Sequence, residues 1–318
     1  MYKLPAYSWM MEDKIRIGAY MAALEKAVKP GAVVVDVGAG VGTWALICCQ
    51  LGASKVYAIE VSPALHLAKR LIAANGFADK VELIQEFSTA IELPERADVI
   101  ITSLHGQQPL FGSSLAAIID ARKRFLKSDG ILVPGRETMW AAVVEGEETY
   151  HRLLNFWERP FQGLDMRAGK HFVVDWLYKE RFGAEQVLTD KFCYATLDYY
   201  QREELDVVTE FELTANRAGT AHGVLLWFDS ELVPGIGFSN APGCPETIFG
   251  GSFLPWPEPV ALDAGNKIRV SVGFRPFQGD YHWHCASRIS AGGVTKAEYS
   301  QSSIWDMLPK LNTLAMKR

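Results

Sequence analysis

The sequence holds no C-x-x-C pair. Its five cysteines, Cys48, Cys49, Cys193, Cys244 and Cys285, are odd in number and scattered. That pattern fits neither a disulfide framework nor a zinc cluster, and free thiols in a reducing compartment are expected. No apolar run reaches the roughly 18–20 residues that a membrane span requires. Asp36, Glu60 and Asp98 interrupt the most hydrophobic stretches. The segment Met1 to Met11 shows no basic-then-apolar leader pattern, so a cytoplasmic chain without membrane contact is expected. Positive charge is not in excess: 32 Lys and Arg stand against 37 Asp and Glu, a net −5. The pI near 5.9 leaves no basic field for nucleic acid. Internal repeats and low-complexity tracts are lacking as well.

What is present is a globular composition over 318 residues, 49% hydrophobic and 22% charged. That length predicts two domains. In the first part strands and helices alternate. Ala32–Val37 is a continuous β-branched run, as a strand buried on both faces requires. Helix Thr43–Leu51, strand Lys55–Ile59 and a helix opened by Ser62-Pro63 and closed by Gly76 follow. Strands Val81–Ile84 and Asp98–Thr102, helix Ser114–Phe125, the turn Ser128-Asp129-Gly130 and strand Ile131–Val133 complete a doubly wound parallel sheet. After Pro134 the period changes to two. Val207–Leu213, Ala221–Leu232, Lys267–Arg275 and Tyr281–Ser290 read as antiparallel strands of a sandwich or barrel. An aromatic and charged stretch, about Glu147–Phe182, interrupts them. The expected domains are therefore 1–133 and 134–318.

Asp36-Val37-Gly38-Ala39-Gly40-Val41-Gly42 sits where the first strand turns into a helix. Glycines there let a backbone approach a ligand closely. A dinucleotide loop places its third glycine where this chain has Thr43. Here the spacing is G-x-G-x-G with Asp36 just ahead, which suits an ammonium-bearing ligand better than a pyrophosphate. Glu60, ending the second strand, is placed to accept hydrogen bonds from ribose hydroxyls. Together these features describe an S-adenosylmethionine site, with Asp36, Gly38, Gly40, Gly42 and Glu60 as cofactor-binding candidates.

Val35–Gly42, Ala53–Glu60, Ile91-Glu92-Leu93-Pro94, Asp129–Pro134, Leu164-Asp165-Met166 and Leu226-Trp227-Phe228-Asp229 resemble the protein arginine methyltransferase family over nearly the whole chain. The resemblance implies a methyltransferase domain followed by a β-barrel domain, with residues 147–182 as an arm that docks on a second subunit, hence a homodimer. It places Arg16, on a helix over Met10–Ala27, at the cofactor carboxylate, where a guanidinium can fork onto it. Met10 falls beside the reacting sulfur, and Ser88 and Thr89 fall at the adenine. The family carries a glutamate where Thr89 stands.

The departure from the family lies in its substrate loop, here Ile101–Ser114. Ser103 occupies the position of the first guanidinium-clamping glutamate, and the second falls at Ser113 or a neighbour. No acid lies between Asp98 and Asp120. The Thr-His-Trp motif has Thr247-Ile248-Phe249 as its best counterpart. An arginine side chain stays protonated at any working pH, and burying it without an anion costs several kcal/mol. Methyl transfer from a sulfonium needs alignment, and a base only where the nucleophile must lose a proton. His105 is the candidate general base beside Ser103, with Gln107, Gln108 and Ser113 as substrate contacts. The expected acceptor is thus an oxygen or nitrogen of a small molecule. One alternative is a protein arginine acceptor with an acid supplied from outside the loop, and another is a non-catalytic cofactor-binding scaffold. The pair His282 and His284 shares one strand face, and Trp227, Trp256 and Trp283 are expected in the core.

Overall fold

The computed structural model describes residues 4–303. Two helices, α1 (Leu4–Glu12) and α2 (Lys14–Ala27), precede the first strand. The single helix expected over Met10–Ala27 is broken at Asp13. Its carboxylate accepts the Arg16 backbone N–H at 2.9 Å and so caps α2, which fixes the direction in which Arg16 leaves the helix.

The parallel part runs β1 (Val33–Val37), α3 (Thr43–Gln50), β2 (Lys55–Ile59), α4 (Ala64–Ala74), β3 (Val81–Ile84), β4 (Ala97–Thr102), α5 (Ser114–Phe125) and β5 (Leu126–Val133). Its strands lie in the order β3-β2-β1-β4-β5, every pair parallel. All five β1 residues are buried, as a β-branched run covered on both faces should be. Strand order reverses between β1 and β4, and this opens a crevice at the carboxyl ends of the strands. At Ser128–Gly130, where a turn is expected, β5 continues instead. The mismatch is taken up by a register irregularity against β4, between Ala97 and Val99.

The antiparallel part contains β6 (Arg136–Val144), α6 (Glu147–Glu158), α7 (Lys170–Val173), β7 (Tyr178–Glu180), β8 (Phe192–Asp198), β9 (Val207–Thr214), β10 (Gly219–Val233), β11 (Ile236–Ser239), β12 (Gly251–Leu262), β13 (Lys267–Phe277), β14 (Asp280–Ala291) and β15 (Val294–Ser302). One sheet orders β7-β12-β10-β6-β8 with β11 beside β10, and the other β15-β14-β13-β9. They approach each other where β8 meets β9 and β12 meets β15. Ile268, Val270 and Val272 point into the core while Lys267 and Arg269 stay exposed, the alternation a half-buried strand requires. Trp227, Trp256 and Trp283 are all buried.

Helix α2 joins the two parts. Tyr20, fully buried, shares an apolar cluster with Val34 of β1 and with Phe228 and Phe238 of β10 and β11. Truncating an aromatic side chain in such a place costs roughly 3–5 kcal/mol. The crevice floor and the antiparallel part are therefore held in one register by the helix that carries Arg16.

Candidate active site

A cavity of about 420 Å³ lies at the carboxyl ends of β1, β2 and β4. Its floor is the glycine loop. Gly38 and Ala39 N–H donate to Ile59 O at 2.9 and 3.0 Å, which binds the loop to β2. Glu60 grips the loop from the other side, accepting Gly40 N–H at 2.9 Å and Ser62 N–H at 2.7 Å. Gly40 has φ +56°, and a Cβ there would stand 2.5 Å from the Tyr7 ring of α1. A side chain at this position is thus excluded twice, by conformation and by the roof that α1 builds over the loop. Arg16 enters the cavity beneath that roof. Its guanidinium donates to Met10 O at 3.2 Å and to Ser103 Oγ, and lies 5.3 Å from the ring centroids of Tyr20 and Trp44. It is buried, its Nε has no hydrogen-bond partner, and no carboxylate pairs with it among the described residues. A buried cation without an anion is a receptor for one, so Arg16 fits the carboxylate of an amino-acid-like ligand. Glu60, opposite, fits a ribose diol.

The other end of the cavity is built by the substrate loop. Ser103, Leu104 and His105 leave β4, and Phe111, Gly112 and Ser113 lead into α5. His105 contacts a residue outside the loop: its Nε2 pairs with Glu137 Oε1 of β6. The Tyr199 hydroxyl donates to the other Glu137 oxygen. Glu137 is fully buried behind His105, while His105 lines the cavity. The imidazole stacks on Phe228 with centroids 5.6 Å apart and meets Phe249 at 5.4 Å. Thr247-Ile248-Phe249 therefore packs on His105 through the Phe249 ring and does not itself line the cavity. It is tied to α2 through Ile248 N–H, which donates to Asp13 Oδ2 at 2.7 Å.

Met10, Arg16, Gly38, Gly40, Glu60, Ser88, Ser103, His105 and Ser113 come together around the cavity. Five other residues assigned to it from the sequence stand elsewhere. Asp36 is fully buried under the loop and does not line the cavity. Burial pushes its carboxyl up to about 7, opposed by the Ala45 backbone N–H and helped by Glu60. Gly42 packs helix on helix, where a Cβ would stand 3.3 Å from Ala68 of α4. Thr89 points to solvent from a short helical turn. Gln108 is buried, donating to Leu226 O and Ser252 Oγ at 3.2 and 3.1 Å, so it anchors the loop to the antiparallel sheet. Gln107 lies against the backbone of Leu177 and Lys179, on a separate cavity. Loop residues alternate between cavities because the loop crosses from one part of the fold to the other, and sequence spacing does not reveal the crossing. His282 binds Ser303 Oγ at 3.1 Å, and among the described residues no cluster of three or more His, Cys, Asp or Glu could hold a metal. Sequence reasoning missed Tyr7, Trp44, Phe87 and Glu137. Glu137 did carry a signal: it shares the inward face of β6 with Met139, Ala141 and Val143, where an acid is out of place.

Comparison with known proteins bears on the whole chain. Residues 135–284 match the family model described as the arginine methyltransferase oligomerization subdomain. Residues 19–134 match that of ribosomal protein L11 methyltransferase. A probable protein arginine N-methyltransferase 6.1 of Oryza sativa subsp. indica is 32% identical over 86% of this chain and 73% of its own. Protein arginine N-methyltransferase 1 of Schizosaccharomyces pombe is 28% identical over 86% and 82%. Among solved structures, the Trypanosoma brucei PRMT1 enzyme–prozyme complex with AdoHcy superposes with a TM-score of 0.85 at 22% identity, covering 94% of this chain and 98% of that one. The Arabidopsis thaliana protein arginine methyltransferase 10 superposes with 0.80 at 22% identity, over 94% and 97%.

Proposed function

The chain belongs to the protein arginine N-methyltransferase family and is an S-adenosylmethionine-dependent methyltransferase; from that premise we propose that it methylates arginine side chains of proteins, with Glu137 as the missing acid. The observation that carries this reading is the buried contact of Glu137 with His105, where a carboxylate from outside the loop meets a residue that lines the acceptor end. Relatives over 86% of the chain bear the name of arginine methyltransferases, and this favours a guanidinium over the small molecule suggested by the neutral loop.

Bound S-adenosylmethionine supplies a methyl group already activated on a sulfonium. The chain's own residues hold its ends: Arg16 the carboxylate, Glu60 the ribose, with Met10 and Ser88 lining the space between. At the acceptor end, the contact of His105 Nε2 with Glu137 orients the ring at the cavity wall. His105 takes the proton that the attacking nitrogen sheds, and Glu137 stabilises the imidazolium that results. With His105 neutral, the Glu137 charge offsets an incoming guanidinium, the task that Ser103 and Ser113 cannot perform. Phe228 and Phe249 fix the plane of the ring and exclude water.

The reading includes a dimer. The arm exposes Phe156, Phe161, Leu164 and Phe172, and helices α1 and α2 expose Leu4, Trp9, Met11 and Ile15, two apolar surfaces available to face each other across two copies. The match of residues 135–284 to an oligomerization subdomain supports this. Methyl-labelled S-adenosylmethionine, incubated with the protein and a cell extract split by size, tests the acceptor. Label recovered as methylarginine in protein is the expected result, and label confined to small molecules overturns it. Leu164→Glu should halve the mass in solution.

A further inference from the structure

Glu137 makes a second contact besides the one with His105. Its side chain is fully buried on the inward face of β6, beside Met139, Ala141 and Val143. Among the described residues no lysine or arginine pairs with it. A lone carboxylate in such surroundings is costly, so its hydrogen bonds decide how it stands. Oε1 faces His105 Nε2, and Oε2 accepts the hydroxyl of Tyr199, which is itself 1% exposed. One oxygen is thus committed to the ring at the cavity wall, the other to a buried phenol that does not line the cavity.

Tyr199 follows the end of β8, whose register against β6 sets Leu197 opposite Glu137 and Asp198 opposite Arg136. Its backbone is held on both sides. The N–H donates to Gly135 O at 3.0 Å, and the carbonyl accepts the Arg122 guanidinium of α5 at 2.9 Å. Burial, then the Glu137 charge and the hydrogen bond to it, hold the phenol well above its ordinary pKa. The hydroxyl is therefore a donor at every working pH. The neighbouring Tyr200 is used differently: it is exposed, and its hydroxyl accepts Leu132 N–H at 2.9 Å.

A core hydroxyl needs an acceptor in any case, and that alone would make the contact structural. Here the acceptor is the one carboxylate that orients the ring at the acceptor end, and a hydrogen bond to a charged group is among the stronger ones. We infer that Tyr199 is a positioning residue for methyl transfer: its hydroxyl fixes the Glu137 carboxylate so that Oε1 faces His105. In the reaction as read above, His105 changes charge and Tyr199 does not, so the carboxylate keeps one donor throughout. Without the phenol the carboxylate can turn about its last side-chain bond, and the ring that it orients loses its alignment. The role in methyl transfer rests on the reading of His105 as proton acceptor; the hold of Tyr199 on Glu137 and His105 does not.

Two measurements on the full chain separate these claims. The first needs no substrate: the ring-nitrogen signals of His105 are recorded by NMR of histidine-labelled protein for the wild type, Tyr199→Phe and Tyr200→Phe. Phenylalanine keeps the buried ring and removes only the hydroxyl. The signals should move in Tyr199→Phe and stay in place in Tyr200→Phe. Signals unmoved by Tyr199→Phe, or moved equally by both variants, overturn the proposal. The second measurement follows methylation of an arginine peptide. Tyr199→Phe should lower kcat about tenfold, with KM for the peptide and Kd for S-adenosylmethionine unchanged. A loss spread over all three would mark a merely structural side chain and overturn the positioning role, as would moved signals at unchanged kcat. Moved signals with no arginine methylation by the wild type keep the hold of Tyr199 on the pair and overturn the protein-acceptor reading.

Discussion

The two ends of the cavity are built by different logic. At the donor end, short sequence motifs do the work: a glycine loop closed onto β2, Glu60 holding Gly40 and Ser62, and Arg16 aimed by the Asp13 cap. Asp13 caps Arg16 three residues on, and Glu60 reaches Gly40 from the adjacent parallel strand, 20 residues away, within one strand–helix–strand unit; the ligand they fit is the same for every enzyme of this chemistry. At the acceptor end, His105 and Glu137 are 32 residues apart and meet only because β6 crosses behind the loop. By the resemblance drawn from the sequence, the positions of the family's two clamping acids fall at Ser103 and at or near Ser113. A fixed donor preserves a local pattern, whereas an acceptor site can be rebuilt from a different part of the fold without disturbing the donor site.

That contrast can be broken from either side. The largest effect is expected from His105→Ala, which should lower turnover by about 10²–10⁴-fold while leaving the affinity for S-adenosylmethionine unchanged, measured by kcat beside equilibrium binding. If both fall together, the two ends are not separable. Glu60→Gln should do the reverse. Weakening charge-assisted bonds to the ribose should raise the cofactor Kd by roughly ten- to a hundredfold, with kcat at saturating cofactor largely retained. A smaller effect should follow from Ser103→Glu, which returns an acid to the loop beside Arg16; KM for an arginine peptide should drop about tenfold, seen in kcat/KM. An increase in KM would show that Glu137 and a loop acid compete for the same charge.

The smallest effect concerns stability. Asp36 has its carboxyl raised from 3.8 to about 7 in the fold. The folded state then binds a proton that the unfolded state releases, so this group's contribution declines as pH rises from about 4 to about 7 and is constant above that. Asp36→Asn removes the titration. Its melting temperature, followed against pH, should gain on the wild type by a few degrees across that window and hold the difference at higher pH. Parallel curves would show that Asp36 is not the titrating group.

The same contrast explains what was legible in the sequence. Helix Ser114–Phe125 and strands Lys55–Ile59 and Val81–Ile84 stand as their periodicity predicts, because buried alternation and capping are local properties. The break at Asp13 lies in a charged run, Glu12-Asp13-Lys14, that suits an exposed helix face as well as a cap, and the bulge in β5 was hidden by a Ser-Asp-Gly triplet that also suits a turn. His105 and Ser103 could be named from the loop alone. Glu137 could not be joined to them, because no short-range pattern encodes the passage of β6 behind the loop that carries His105. Gln107 and Gln108 were misplaced for the same reason: adjacent in sequence to the cavity, they belong to the contact with the antiparallel sheet.

The most direct measurement is methylarginine formation in protein under single turnover, comparing the wild type with Glu137→Gln at equal occupancy by S-adenosylmethionine. The wild type should form methylarginine, and the variant should lose it while still binding the cofactor. Equal methylarginine from both would contradict the assignment of Glu137 as the replacing acid, and label found only in small molecules would contradict the acceptor itself.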